Sequence, residues 1–395
     1  MSKILLHIDM NAYFATCAQI ENPKYRNKPI AVGGKSTRSI ITTASYEARK
    51  YGIKSAMPVF QAKRLYPEII IVNPNFKIYE KYTKMFINVI KKYASKIELV
   101  SIDECYVDIT KEVDNYKNPL NFIKKIQNDI YNSTGLSCSI GVAPNKFLAK
   151  MASDYEKPMG LTIIRKRDID KILWPIKIEN MYGCGRKTSK MLKEEFNILT
   201  IGDFAKSNDE ELKKRLGKSF EILHLWASGG GDDNVQEEKK DVKSIGNSET
   251  LIHNSSDYKE IKDEIIKLVR TIEKRAKNKQ LYGSGVSIVI KYSDFTIINR
   301  SKSVDYPLQD FDEILIIAVK LFEENYDFGR ELRLIGVTLI NVKPLSEFVR
   351  QISLFDLNQQ KNLNSSKCKQ LVNSINTQLG KEVLKIASDI KGESV

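Results

Sequence analysis

Three acidic residues that lie far apart in this sequence could together bind metal ions. Asp9 ends the apolar run 4–8, and Asp103 and Glu104 stand side by side between two further apolar runs. An acid at the end of a buried strand is costly unless it faces cations. Catalysis with two divalent ions needs such carboxylates to hold the ions about 3.5–4 Å apart, one activating a hydroxyl and one holding a triphosphate. Because Mg²⁺ prefers oxygen ligands, three acids and a main-chain carbonyl, assigned here to Met10, would suffice.

The apolar periodicity predicts the elements that would bring these acids together. An insertion at 23–75 separates the first helix from the rest, and without it the order is strand, helix, strand, strand, helix, strand, which is ferredoxin-like. The predicted elements are a strand ending at Asp9, helices at 11–20, 76–93 and 120–131, and strands at 97–102, 105–109 and 136–142.

The ferredoxin-like order has a chemical consequence. Its first and third strands are antiparallel neighbours at the centre of the sheet. The end of the first strand, with Asp9, would then lie beside the start of the third, with Asp103 and Glu104. Taken alone, an Asp-Glu pair between strands is more often a solvated turn, so the metal site depends on this pairing.

The remainder of the chain changes character twice. A helix at 145–156 and a short strand at 161–164 are followed by short helices with glycine punctuation up to residue 232. A polar linker leads to a second block, 243–343, again of the order strand, helix, strand, strand, helix, strand, with helices near 257–279 and 310–326. After Pro344 the sequence is polar, with one apolar island.

Composition favours a partner that is a polyanion. The formal net charge is +14, from 63 Lys and Arg against 49 Asp and Glu. Five cysteines without a C-x-x-C pair argue against a disulfide framework or a zinc site. No stretch of 18 apolar residues and no signal peptide is present, so we expect no membrane contact and a cytoplasmic location.

Two motifs identify the family that the chain resembles. Residues 7–14, HIDMNAYF, and residues 101–108, SIDECYVD, resemble the catalytic motifs of the Y-family DNA polymerases, most nearly the DNA polymerase IV group. Asn11 departs from the pattern, since many relatives have Asp there, but that position is not a metal-binding carboxylate. The resemblance covers roughly residues 1–356.

The resemblance implies an α+β multidomain, right-hand polymerase with a ferredoxin-like palm, small fingers, a helical thumb and a βαββαβ little finger. It implies a low-fidelity, template-directed enzyme for translesion synthesis that uses two Mg²⁺ ions, or Mn²⁺ in their place, and lacks a proofreading exonuclease. The implied domains are the palm at 1–10 and 76–165, fingers at 11–75, thumb at 166–232, linker at 233–242, little finger at 243–343 and tail at 344–395.

The resemblance also assigns a nucleotide pocket. Phe14 would be the steric gate that excludes a 2′-hydroxyl; without the motif it would read as an ordinary core residue. Ile40 and Thr42 would roof the templating base loosely, which permits damaged templates. The residues implied to meet the deoxynucleoside triphosphate are Tyr13, Thr43, Tyr46, Arg49 and Lys157.

Contacts with primer-template DNA are implied in two regions. Residues 178–188 resemble a helix-hairpin-helix, in which Gly183 and Gly185 let backbone approach phosphate. Tyr182 stands where many relatives have Pro, and we expect the hairpin to persist. In the second block, phosphate contacts are expected from Lys243, Arg300, Lys302 and Arg333, each of which could equally be a solvated surface charge.

The apolar island in the tail, 351–356, resembles the peptide by which bacterial polymerases dock on the sliding clamp. Leu354 and Phe355 would fill a hydrophobic pocket, and Gln351 would hydrogen-bond at its rim. The alternative is a strand or helix that packs on the little finger. The enzyme itself is expected to be a monomer.

Two other classes of protein remain to be weighed. Nucleotide cyclases also build paired acids on ferredoxin-like folds, but they need no primer. A binding module that recruits partners to DNA could lose its acids, whereas this chain keeps all three.

Overall fold

The computed structural model describes residues 3–34, 36, 38–113, 116–237 and 241–347. The chain divides into two compact units, Met1–Lys240 and Asp241–Val395. The predicted clamp peptide at 351–356 lies outside the described residues, as does part of the predicted linker. Among the helices that are described, none has the length and apolar character needed to cross a membrane.

The first part of the first unit contains both strands and helices. Its elements are β1 Leu5–Met10, α1 Tyr13–Glu21, β2 Ile30–Gly33, β3 Ile41–Ala44, α2 Tyr46–Arg49, α3 Val59–Leu65, β4 Ile70–Val72, α4 Phe76–Ile90, β5 Lys96–Leu99, β6 Glu104–Asp108, α5 Thr110–Val113, α6 Pro119–Thr134, β7 Cys138–Ala143, α7 Lys146–Tyr155 and β8 Leu161–Ile163.

The central sheet has the strand order β5-β6-β1-β7-β8. As predicted, β1 is antiparallel to β6, with Asp9 opposite Glu104, and it is also antiparallel to β7. One face is covered by α4 and α6, whose apolar residues recur at helical spacing and are buried against the sheet. Helix α7 packs on the other face, directly over Gly141.

The strand predicted at 97–102 ends earlier than the apolar pattern suggests, at Leu99. The amides of Val100 and Ser101 both donate to the Glu104 carbonyl oxygen, at 3.1 and 3.3 Å. The chain therefore closes a turn at this point, and the turn presents Asp103. Likewise, the helix predicted at 76–93 ends at Ile90.

The insertion between α1 and α4 forms a small sheet of its own, in the order β3-β2-β4. Helices α2 and α3 close a compact apolar cluster beside it, to which Ile41, Ala48 and Ile53 contribute fully buried side chains.

The region after β8 is helical, and its described residues up to Asp232 contain no strand. Its helices are α8 Ile169–Ile172, α9 Arg186–Phe196, α10 Ile201–Lys206, α11 Glu210–Leu216 and α12 Lys218–Ala227. They share a core with α7, and the rings of Phe147 and Trp226 stack at 5.3 Å.

The second unit has the order of elements that the sequence predicts. Its elements are β9 Ser244–Ser255, α13 Tyr258–Asn278, β10 Leu281–Tyr292, β11 Ile297–Leu308, α14 Phe311–Asn325, β12 Leu332–Ile340 and β13 Lys343–Pro344. The sheet order is β11-β10-β12-β9, and α13 and α14 bury an apolar core against one of its faces. The register places small residues such as Ser287, Gly336 and Ser248 on the opposite face.

Candidate active site

Strand pairing brings the three predicted carboxylates together at one end of the central sheet. Asp9 lies opposite Glu104, and the amide of Met10 donates to the Asp103 carbonyl oxygen at 3.0 Å, which fixes the turn against the end of β1. Asp9, Met10 and Asp103 line one cleft. Glu104 lies beside the buried imidazole of His7, with His7 Nε2 3.4 Å from Glu104 Oε2.

Two lysines, one on α7 and one in the loop that follows it, supply countercharge. Lys150 Nζ lies 3.0 Å from Asp9 Oδ2 and 2.9 Å from Glu104 Oε2. Lys157 Nζ lies 3.0 Å from the same oxygen of Asp9 and 2.7 Å from Asp154 Oδ1. The sequence interpretation included Lys157 as a phosphate ligand but missed Lys150. The i, i+4 spacing of Lys150 and Asp154 on a helix was the available signal.

The three acids differ in their electrostatic environments. Hydrogen bonding by His7 and the charge of Lys150 lower the pKa of Glu104 to about 2. Burial raises the pKa of Asp103, and the charges of Asp9 and Glu104 raise it further, while its Oδ1 accepts a hydrogen bond from Ser101 Oγ at 2.5 Å. Its environment therefore disfavours the ionised form of Asp103.

This donor set fits divalent cations. Three carboxylates converge from two strands and a turn, and a protein ammonium group already bridges two of them. The charges of Asp9 and Glu104 raise the pKa of Asp103, so a cation at this place would relieve the repulsion among the three carboxylates. Oxygen ligands of this kind suit Mg²⁺. One imidazole also lies beside these oxygens, since His7 Nε2 is 3.4 Å from Glu104 Oε2.

Residues predicted to hold a triphosphate line the same cleft from the side of the insertion. From the insertion these are Thr43, Tyr46 and Arg49, and Tyr13 and Lys157 line the cleft from outside the insertion. Thr42, predicted to roof the templating base, also lines it. The Arg49 guanidinium lies over the Tyr46 ring, 4.5 Å from its centre, and Nε donates to the Ala44 carbonyl oxygen at 3.0 Å. The Tyr46 hydroxyl is buried and lacks a hydrogen-bond partner among the described residues.

Tyr13 lines the cleft, but its side-chain hydroxyl is engaged in hydrogen bonds elsewhere. Its side chain is buried, and the hydroxyl donates to the Tyr79 carbonyl oxygen at 2.6 Å, with Thr83 Oγ1 2.9 Å away. What Tyr13 presents to the cleft is the first turn of α1, which begins after Ala12 at a φ of 45°. The amides of a first helical turn have no partner within the helix.

Phe14 and Ile40 are not among the residues that line the cleft in the described part of the chain. Phe14 is half-buried, and its ring stacks on Tyr79 at 4.1 Å with Phe76 at its edge. Ile40 is exposed and forms a bridge with Pro58, while its neighbour Thr42 does line the cleft.

Asn11 has a positioning role that the sequence interpretation did not assign. Its side chain is buried; Nδ2 donates to Ser139 Oγ at 2.9 Å, and Oδ1 accepts from the Met159 amide at 2.9 Å. Asn11 thus ties the end of β1 to the loop that carries Lys157. Asn at this position, where many relatives have Asp, still provides the side-chain oxygen that accepts from the Met159 amide.

The predicted hairpin at 178–188 is a tight turn that leads into α9. Gly183 has a φ of 87°, and a Cβ there would approach the Trp226 ring to 2.8 Å. Gly185 caps α9, and apart from its two chain neighbours no atom of the described residues lies within 4 Å of the place a Cβ would take. Tyr182 is half-exposed beside Trp226, so it does not prevent the turn.

The four basic residues predicted to contact DNA in the second unit lie in different environments. Arg300 is paired with Ile288 and so lies on the helix-covered side, where its Nε donates to Asn325 Oδ1 at 3.0 Å. Lys302, paired with Val286, is on the same side. Arg333 lies over the Phe295 ring, and Lys243 is exposed just before β9.

Comparisons with known proteins agree with this geometry. Residues 8–154 match the model of the impB/mucB/samB family, and residues 242–354 match that of its C-terminal domain. DNA polymerase IV of Oceanobacillus iheyensis is 41% identical over 356 residues, 89% of this chain and 84% of that protein. DNA polymerase IV 1 of Bacillus subtilis is 37% identical over 395 residues, 99% of this chain and 94% of that protein.

Solved structures lead to the same class of protein. The Y-family DNA polymerase chimera Dbh-Dpo4(243-245)-Dbh is 31% identical, with a TM-score of 0.76. The insertion ternary complex of Dbh DNA polymerase is 29% identical, with a TM-score of 0.60. Each match covers 86% of this chain and 99% of the other. The chain therefore belongs to the impB/mucB/samB family of Y-family DNA polymerases, together with relatives named DNA polymerase IV. The predicted right-hand polymerase fold is confirmed, and enzymes of this family depend on divalent metal ions.

Proposed function

We propose that this chain is a template-directed DNA polymerase that adds deoxynucleotides to a primer 3′ end with low fidelity, in translesion synthesis and DNA damage tolerance. The observation that carries the proposal is one cleft that joins the carboxylates of Asp9 and Asp103 to the phosphate donors Tyr46, Arg49 and Lys157. That combination, on a chain of this family, matches the needs of nucleotidyl transfer.

Two Mg²⁺ ions, or Mn²⁺ in their place, would supply Lewis acidity at the primer hydroxyl and at the triphosphate. Asp9, Asp103 and Glu104 would hold them, with the Met10 carbonyl as a further oxygen ligand. Because the strands fix these groups before substrate arrives, little reorganisation is needed at the moment of reaction.

The triphosphate would be held by donors that have few competing partners in the protein. The buried Tyr46 hydroxyl gains a hydrogen bond, and Arg49, braced against the Tyr46 ring, offers its terminal nitrogens. Thr43 would add a hydroxyl, and Tyr13 would add the backbone amides of the first turn of α1. The ammonium group of Lys157 would leave Asp9 and pair with a phosphate oxygen.

Sugar selection is assigned to Phe14. Stacking on Tyr79 fixes the ring on the first turn of α1, beside the residues that line the cleft. A fixed ring rejects a 2′-hydroxyl by exclusion. We expect Phe14→Ala to admit ribonucleotides, measured as the ratio of dCTP to rCTP insertion; an unchanged ratio would remove this role.

Low fidelity is supported by the size of the insertion. Its sheet has only three short strands, and Thr42 and the exposed Ile40 would roof the templating base. A roof of small or exposed side chains checks the shape of a base pair loosely, so damaged templates can enter.

Primer-template DNA would be held by the backbone at Gly183 and Gly185 and by basic residues of the second unit. Among these, Lys243 and Arg333 are better candidates for phosphate contacts, because Arg300 and Lys302 lie on the helix-covered side of the sheet. The proposed domains are the palm at 1–10 and 76–165, fingers at 11–75, thumb at 166–232, linker at 233–242, little finger at 243–343 and tail at 344–395. The division into units at 240/241 falls within this linker. We also propose a cytoplasmic monomer that docks on the sliding clamp through Gln351, Leu354 and Phe355.

The test is extension of a primer with a recessed end on undamaged and lesion-bearing templates. Asp103→Ala should abolish nucleotide addition while DNA binding, measured by fluorescence anisotropy, persists. A variant that retained synthesis would overturn the assignment of the carboxylates. A nucleotide cyclase would consume triphosphate without any primer, so a primer-free control separates the two classes.

A further inference from the structure

Lys150 lies between two carboxylates that the proposed function assigns to metal binding. Its side chain is mostly buried, and Nζ lies 3.0 Å from Asp9 Oδ2 and 2.9 Å from Glu104 Oε2. The lysine is held there by α7, which packs so closely on the sheet that Gly141 leaves no room for a Cβ beneath it. The ammonium group is therefore part of the built site.

A lysine ammonium and a divalent cation cannot both use these oxygens. Mg²⁺ binds carboxylate oxygen at about 2.0–2.1 Å, while the ammonium already donates to one oxygen of each acid. An ion bound there would lie within a few ångströms of Nζ, and the like charges would repel strongly where water is largely excluded. One cation must leave when the other binds.

The structure provides a second partner for the lysine. Asp154, one turn further along α7, has Oδ2 3.6 Å from Lys150 Nζ and Oδ1 2.7 Å from Lys157 Nζ. Its side chain is about half exposed, so it can take up an ammonium group at low cost of desolvation. A change of side-chain rotamer moves Lys150 from the acids towards Asp154.

We propose that Lys150 is a built-in counter-ion which a divalent cation must displace, and that Asp154 receives the displaced ammonium group. The proposal rests on the proposed function, because it takes Asp9 and Glu104 as metal ligands. Its consequence is that the charges of Asp9 and Glu104 are partly neutralised without metal, so the site binds metal weakly until nucleotide phosphates arrive with it.

The test measures Mn²⁺ binding to the full chain without DNA or nucleotide, from the signal of free Mn²⁺ in electron paramagnetic resonance. Lys150→Gln should bind Mn²⁺ roughly tenfold more tightly than the parent protein, because the competing charge is gone. Asp154→Asn should bind it several-fold more weakly, because the displaced lysine loses its second partner.

Lys146→Gln is the matched control. Lys146 lies one turn before Lys150 on the same helix and is equally buried, but it pairs with Glu98 at 2.6 Å and Asp232 at 3.0 Å. Its removal should leave Mn²⁺ affinity unchanged. Circular dichroism confirms that each variant is folded, and the melting temperature of Lys150→Gln should fall without metal and rise more on adding Mn²⁺ than that of the parent.

The outcomes separate the two proposals. Equal or weaker Mn²⁺ affinity in Lys150→Gln overturns the role of Lys150 but leaves the metal site in place. Unchanged affinity in Asp154→Asn overturns the role of Asp154. If neither the parent nor Lys150→Gln binds Mn²⁺, the assignment of Asp9 and Glu104 as metal ligands in the proposed function is overturned.

Discussion

Replacement of Asn11 by alanine should loosen the loop that carries Lys157 without touching any carboxylate. The change removes the acceptor for the Met159 amide and the donor to Ser139 Oγ. Each hydrogen bond contributes about 1 kcal/mol net, and the fully buried Ser139 hydroxyl, left without its donor, adds up to about 2 kcal/mol. We therefore expect a loss of about 2–4 kcal/mol in the unfolding free energy of the first unit.

The functional effect should appear mainly in nucleotide binding. A charge-assisted contact to phosphate contributes about 1.5 kcal/mol, which corresponds to roughly a tenfold change in affinity. If Lys157 is no longer held in place, KM for a single deoxynucleotide should rise roughly tenfold, while kcat changes less. Single-nucleotide insertion kinetics on a fixed primer-template measure both values.

Unfolding of the first unit can be followed separately. The chain has two tryptophans, Trp174 and Trp226, and both belong to this unit, so fluorescence in urea reports on it alone. Asn11→Asp is the control, because Asp keeps the acceptor for the Met159 amide and can accept from the Ser139 hydroxyl; its KM should stay within about threefold of the parent value. If Asn11→Ala and Asn11→Asp had the same KM, the positioning role would be refuted.

Three further predictions concern the packing of α7, the hairpin and pH. Gly141→Ala would place a Cβ 2.0 Å from the Ala149 carbonyl oxygen, so α7 must move by more than about 1 Å, and urea unfolding should show a loss of about 3 kcal/mol or more. Gly185→Ser, at a position with open space, should leave stability unchanged but weaken DNA binding several-fold in anisotropy, and equal binding would mean that backbone there does not approach phosphate. The pKa of Glu104 is lowered from 4.5 to about 2, so its ionised form stabilises the fold above pH 4.5. This stabilisation is lost as the pH falls towards 2. Glu104→Gln should therefore flatten that part of the pH profile of tryptophan fluorescence.

The sequence determined the order of elements and the convergence of the acids. Apolar periodicity predicted the ferredoxin-like order, and that order alone places the end of β1 beside the start of β6, because antiparallel pairing of those strands follows from the connections. Asp9 opposite Glu104 is the result. Local patterns carry this information because each element buries its own apolar face.

Tertiary structure decided what surrounds the acids. Lys150 reaches Asp9 and Glu104 because α7 crosses the sheet at Gly141, and Asn11 reaches the loop of Lys157 across many intervening residues. The register of β11 likewise places Arg300 on the helix-covered face of its sheet, where it contacts Asn325. Such contacts depend on packing distances and strand register between segments remote in sequence, and no local pattern of residue types encodes those distances.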